Sequence, residues 1–198
     1  MQRRGIWLGL GAILMVVAVG LAFYQQQLRD PAKGEPQGGP IELPSTAGEF
    51  SLSQLDDDQL AVIFFGYTWC PDVCPMSLAV VRQVMGRLDP EQRRRVVPLM
   101  ISLDPERDTL TRLEEYLAFF GEGFIGATGS QDALEALAER YGVVWRRVAT
   151  PDSAMAYTID HSASLFLVDR DGEIRRRVLH SPTSGPLQAA LEQALAEG

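Results

Sequence analysis

Leu60-Ala61-Val62-Ile63-Phe64-Phe65 is an unbroken apolar run rich in branched and aromatic side chains. Its length suits a strand buried on both faces, because a half-exposed strand would alternate apolar and polar residues. Gly66 to Pro75 breaks the run, and Met76 to Leu88 then carries Leu78, Val81, Val84, Met85 and Leu88 at helical spacing. Val96 to Leu103 is a second buried strand. Strand, helix and strand in that order predict a parallel pair joined by a right-handed crossover. Residues 66–75 then lie at the carboxyl end of a central strand, where open α/β sheets carry their sites.

The remaining pattern extends the same layers. Asp108 or Thr109 can cap a helix running to Phe120, and Thr111 with Glu114 has capping-box spacing. Phe124 to Ala127 reads as short and extended, Gln131 to Tyr141 as an Ala- and Leu-rich helix, and Val143 to Val148 as a strand. Ser164 to Val168 and Glu173 to Leu179 flank Asp169-Arg170-Asp171-Gly172, a hairpin signal. Pro186 to Ala196 closes the chain as a helix with proline in its first turn. The expected fold is an α/β layer sandwich around a mixed sheet.

Ahead of this domain, Ile6 to Phe23 is an apolar stretch of 18 residues with no charge, preceded by Arg3 and Arg4. About 20 apolar residues cross a bilayer as a helix, so 6–23 is expected to be a transmembrane anchor. The arginines hold residues 1–5 in the cytoplasm and the rest of the chain is exported. A cleaved signal peptide competes, with Ala18-Val19-Gly20 or Gly20-Leu21-Ala22 as its small-x-small site, but the run is long for one. No cysteine follows the run, which argues against a lipoprotein anchor. No Arg- and Ser-rich transit segment precedes it, which favours a bacterial inner membrane and periplasm. Residues 24–40 end in a stretch rich in proline and glycine and read as a flexible tether to the domain at 41–198. That domain holds 14 basic and 24 acidic residues, a net charge of -10. Such a balance argues against nucleic acid, whose binding rests on Lys and Arg.

The chain has two cysteines, too few for a disulfide-stapled mini-fold or a four-cysteine zinc site. Both lie in the segment after the first buried strand: Gly66-Tyr67-Thr68-Trp69-Cys70-Pro71-Asp72-Val73-Cys74-Pro75. A structural disulfide across so short a loop removes little entropy from the unfolded chain. A helix start also favours the reactive thiolate. Proline is tolerated in the first turn of a helix, so Pro75 marks the expected start and Cys74 is expected to be extended. Two thiolates are soft ligands that select Cu(I) or zinc, and Cu(I) accepts fewer than four. His161, in Ile159-Asp160-His161-Ser162, is the candidate third ligand and is expected to open the Ser164–Val168 strand. His180 reads as a surface residue, and Met76 and Met155 as minor thioether candidates. Asp72 and Asp160 are candidates to orient the ligands. Asp104 and Asp108 are expected to stabilise a turn and a helix start. A thiol–disulfide oxidoreductase, or a redox sensor, using Cys70 and Cys74 stays open, although general thiol reductases space their cysteines by two residues.

The cysteine segment resembles the signature of the SCO/SenC family of copper chaperones. Asp104-Pro105-Glu106-Arg107-Asp108-Thr109, Gly126-Ala127-Thr128-Gly129, Asp160-His161-Ser162 and Leu167-Val168-Asp169 ahead of Asp171-Gly172 extend the likeness over most of residues 45–180. The resemblance implies a thioredoxin-like three-layer sandwich. It implies one copper ion, with Cu(I) favoured, held by Cys70, Cys74 and His161. It also implies a role in building the binuclear copper centre of cytochrome c oxidase subunit II, by delivering copper, by reducing the target's cysteines, or both. Expected partners are that subunit, a copper donor protein and an exported thiol reductant, since an oxidised cysteine pair cannot hold Cu(I).

Overall fold

The computed structural model describes Met15, residues 17–21, and residues 36–198 apart from Asp152, Ala154 and Gly198. Most of the 6–23 run lies outside the described residues; Met15 and 17–21 within it are helical. Among the described residues no helix is long and apolar enough to cross a membrane. Residues 24–35 of the expected tether also lie outside them. Its last residues, 36–40, belong instead to the compact unit Pro36–Gly198. The amide of Gln37 donates to the carbonyl of Arg140 at 2.7 Å, and that of Gly39 to Gly172 at 2.8 Å. The domain boundary therefore moves from 41 to 36.

Strands β1 (Glu42–Ser45), β2 (Gly48–Ser51), β3 (Leu60–Gly66), β4 (Val96–Ser102), β5 (Ile125–Ala127), β8 (Leu165–Val168) and β9 (Ile174–Val178) form one sheet in the order β2-β1-β5-β4-β3-β8-β9. The pairs β3–β4 and β4–β5 are parallel, while β3–β8, β8–β9, β1–β5 and β1–β2 are antiparallel. The sheet is therefore mixed, with the parallel pair where the sequence predicts it. Strand β3 is buried throughout because its two faces serve two cores. Leu60, Val62 and Phe64 join the core under α1 (Val73–Met85), α3 (Leu110–Ala118) and α5 (Gly185–Ala196). Ala61, Ile63 and Phe65 join the core under α4 (Gln131–Arg140). The period of two along the strand assigns alternate side chains to the two layers. A short helix, α2 (Pro90–Arg94), leads into β4 with Asp89 as its cap.

Several expectations change locally. Helix α1 begins at Val73, so Cys74 and Pro75 both lie inside its first turn. The first turn has no intrahelical use for its N–H groups, so proline is tolerated there and the preceding cysteine is helical after all. Thr109 caps α3 by accepting the amide of Arg112, which places Thr111 within the helix and leaves the Thr111–Glu114 capping box unused. The β1–β2 hairpin was not expected. Strand β6 (Trp145–Ala149) pairs with an unforeseen β7 (Tyr157–His161) in a two-stranded ribbon outside the main sheet. His161 thus closes β7; it does not open β8. The hairpin expected at 169–172 is present, with Gly172 at φ 83° and the Asp169 carboxylate accepting the amides of Asp171 and Glu173.

Candidate metal centre

Strand β3 delivers the chain to Gly66, and the loop 67–72 turns it into α1. A Cβ at Gly66 would stand 2.9 Å from the Cys74 Sγ and 2.6 Å from the Phe64 ring, so only glycine lets the sulfur lie against the strand end. The loop is pinned from below by Asp108, which is fully buried. Its carboxylate accepts the amide of Thr68 at 2.8 Å, the Thr68 hydroxyl at 2.6 Å and the Ser102 hydroxyl at 2.6 Å. Burial pushes the Asp108 pKa up, and the hydrogen bonds oppose that rise. The expected helix-start role of Asp108 thus becomes a brace for the cysteine loop.

Both cysteines are free thiols, Cys74 buried and Cys70 half-buried. The amide of Cys74 donates to the Cys70 Sγ at 3.4 Å. The thiol of Cys74, donating to the Cys70 Sγ, pulls the Cys70 pKa down to about 3 against the opposing effect of burial, and the Cys74 amide adds a little to the pull. Cys74 is pushed far up, first because it keeps the proton shared with Cys70 and then because it is buried. The pair therefore holds one thiolate, and it sits on the accessible sulfur.

His161 reaches the same point from β7. Its Nε2 lies 3.3 Å from the Cys74 Sγ, and its Nδ1 lies 3.2 Å from the carbonyl of Ser162. A carbonyl only accepts, so the proton belongs on Nδ1 and the Nε2 lone pair faces the sulfurs. Phe64 and Tyr67 stand edge-on to the imidazole, with centroids at 5.9 and 6.1 Å. Donor atoms of Cys70, Cys74 and His161 all lie within 4.8 Å of one another, the one such group among the described residues. Two sulfurs and one imidazole nitrogen form a soft, low-coordinate donor set.

The other sequence candidates lie further out. Asp72 is the exposed N-cap residue of α1, and its side chain makes no capping bond. Asp160 is exposed and pairs with Arg146 at 3.0 Å; the carbonyl of Ser162, not this carboxylate, holds the His161 Nδ1. Met76 lines a separate groove with Ala79 and Pro182. The carbonyl of Met155 accepts from Arg107. His180 is exposed, as expected, yet it lines the same cavity of about 530 Å³ as Cys70 and His161, with its Nδ1 3.2 Å from the Ser77 hydroxyl. No local signal marks His180 for that place, because the return of the chain after β9 alongside α1 creates it. Sequence reasoning also missed Thr68, whose link to Asp108 is forty residues long in sequence.

The family model described as SCO1/SenC matches residues 29–196. A SCO2-like protein of Rickettsia conorii is 33% identical over 172 residues, covering 81% of this chain and 83% of that one. Among solved structures, Bradyrhizobium japonicum ScoI with copper bound is 34% identical with a TM-score of 0.69, covering 79% of this chain and 98% of that one. Arabidopsis thaliana ScoI with copper bound is 28% identical with a TM-score of 0.73, covering 82% of this chain and 99% of that one.

Proposed function

The chain belongs to the SCO1/SenC family, and from that premise we propose that it is a copper chaperone of thioredoxin-like fold. In this reading it holds one Cu(I) on Cys70, Cys74 and His161 and delivers it to the binuclear copper site of cytochrome c oxidase subunit II. Residues 6–23 anchor it in the inner membrane with the domain in the periplasm. The observation that carries the reading is the convergence of the three donor atoms within 4.8 Å. The copper-bound relatives support the choice of ion.

The residues divide the work. Cys70 is the entry point, because it is the accessible sulfur and is already a thiolate. Cys74 gives up its proton as Cu(I) arrives, so loading releases one proton. His161 presents Nε2 and completes a trigonal set. Release runs in reverse through the cavity over Cys70, where an incoming thiolate displaces a ligand. No electron moves in that exchange. A donor protein supplies the copper, and an exported thiol reductant supplies two electrons and two protons whenever Cys70 and Cys74 have been oxidised to a disulfide.

The test is a titration of the reduced, detergent-solubilised full chain with Cu(I) against a competing chelator. One copper per chain is expected, with binding weakened strongly in Cys74→Ser and in His161→Ala. Binding indifferent to His161 would defeat the three-ligand reading. Mixing two equivalents of the loaded chain with copper-free, reduced subunit II, followed by one-electron oxidation with ferricyanide, should then produce the absorption of the binuclear centre.

A second reading is favoured by the lowered pKa of Cys70, about 3. As a thiol–disulfide oxidoreductase, the Cys70 thiolate attacks a target disulfide, forms a mixed disulfide and releases one target thiolate. Cys74 then attacks the Cys70 sulfur, releases the second target thiolate and leaves Cys70–Cys74 oxidised by two electrons. That activity would survive His161→Ala, and Cys74→Ser would trap the mixed disulfide.

A further inference from the structure

Strand β7 carries His161, but among the described residues no backbone ladder ties β7 to the main sheet. Its position rests on side chains along one of its faces. Tyr157, Ile159 and His161 alternate onto that face. Ile159 enters the core at 4% exposure, His161 meets Cys74, and Tyr157 meets Arg107.

Arg107 belongs to neither ligand-bearing element; it lies in the loop between β4 and α3. Its guanidinium stacks 3.6 Å from the Tyr157 ring centroid and donates through Nη1 to the carbonyls of Met155 at 3.2 Å and Tyr157 at 3.0 Å. Through Nε it pairs with the buried carboxylate of Asp104, which also accepts the Tyr157 hydroxyl at 2.7 Å. On its other side the guanidinium lies 5.8 Å from the rings of both Tyr67 and Trp69, the two aromatics that lead into Cys70. Its side chain is 17% exposed, and its buried Nη2 has no partner among the described residues. One cation thus touches the start of the histidine strand, the cysteine loop and a buried acid. A surface ion pair would do none of this.

We propose that Arg107 is a positioning residue for the metal site: it clamps the β6–β7 ribbon onto the cysteine loop and so sets the reach of His161 toward Cys70 and Cys74. The proposal rests on the three-ligand reading above. The clamp acts at Tyr157, four residues before His161 along the strand, while the ribbon's other end is fixed by the short connection into β8. Arginine suits the task where lysine does not, because a planar fork can stack and donate at once.

The test is a double-mutant cycle on the reduced full chain in detergent, read by Cu(I) competition titration. Arg107→Ala is expected to weaken binding about tenfold, the usual scale for groups that orient a ligand. In the His161→Ala background the same change is expected to do nothing further, because the ligand it positions has gone. Arg107→Lys should recover only part of the loss. Amide exchange in residues 145–161 should accelerate in Arg107→Ala. An equal loss in both backgrounds, or no loss with His161 present, would overturn the clamp. If His161→Ala alone leaves binding unchanged, the three-ligand reading falls first and the clamp with it; the two failures therefore differ in signature. Should Arg107→Ala misfold, because Asp104 is left buried and unpaired, the Asp104→Asn/Arg107→Met variant removes both charges together and faces the same cycle.

Discussion

The two halves of the candidate site are held in different ways. The cysteines stand at the end of β3, a strand buried on both faces and hydrogen-bonded to β4 on one side and β8 on the other. The histidine stands at the end of a two-stranded ribbon attached through side chains. Sheet ladders are stiff and cooperative, whereas side-chain attachments can be loosened singly. Changes on the cysteine side should therefore cost stability and metal together. Changes on the histidine side should cost metal while leaving the fold intact.

The largest effect is expected at Gly66. A methyl group there would collide with the Phe64 ring at 2.6 Å and the Cys74 Sγ at 2.9 Å. Gly66→Ala should lower stability by about 1–3 kcal/mol, the range for overpacking a filled core. Urea unfolding would measure that loss, and Cu(I) titration should show weaker binding in the same variant. Stability unchanged with binding lost would mean that the two properties separate on the cysteine side as well, and the contrast between the halves would fail.

Asp108 tests the same half through pH. Asparagine can accept at one atom where the carboxylate accepts at two, so Asp108→Asn should cost about 1–3 kcal/mol by freeing bonds to Thr68 or Ser102. Burial raises the folded-state pKa of Asp108 above its unfolded value. The native fold therefore prefers the protonated acid, and this group adds stability as pH falls through its raised pKa. The advantage of wild type over Asp108→Asn should grow on acidification, read as the difference between two urea curves at each pH. A difference that shrinks on acidification would show that the three hydrogen bonds outweigh burial.

What the sequence made legible follows the same division. Apolar runs and a short cysteine spacing are local, so β3, β4, α1 and the thiol pair could be read directly, with His161 a candidate third ligand by residue type and its place in the ligand set implied by the likeness to a known family. The ribbon could not be read in that way. Trp145-Arg146-Arg147-Val148-Ala149 and Tyr157-Thr158-Ile159-Asp160-His161 mix charged, polar and aromatic residues, and the first lies partly exposed. Arg107, whose guanidinium meets the start of β7, lies fifty residues before Tyr157 in sequence. The β1–β2 hairpin escaped for a related reason: four-residue strands carry too few alternations to stand out. The start of α1 was misplaced by two residues because local proline preferences gave way to the capacity of a first turn to absorb proline.

The thiolate itself can be divided between the two halves. The pull on Cys70 comes first from the Cys74 thiol, against the opposing effect of burial, while His161 turns a lone pair toward the sulfurs. Alkylation of Cys70 by iodoacetamide should therefore keep its rate as pH falls from neutral, with a midpoint at about 3. Cys74→Ala should move that midpoint up further than His161→Ala does. The reverse order would place the histidine ribbon in control of the thiolate.

The smallest effect is expected at Asp160, beside the candidate ligand in sequence. A carboxylate in that position invites the reading that it orients the imidazole. The fold turns it away: alternation along β7 places Asp160 on the face opposite His161, and Arg146 takes it up at the surface. Both partners are exposed, so the pair contributes at most about 1 kcal/mol and is screened by salt. The Ser162 carbonyl, which no side-chain substitution removes, already holds Nδ1. Asp160→Asn should therefore leave Cu(I) affinity within about twofold of wild type, well inside a single tenfold step of 1.4 kcal/mol. A tenfold loss would show that the carboxylate swings onto the imidazole when metal is bound, and the ribbon would then be a moving part in place of a clamped one.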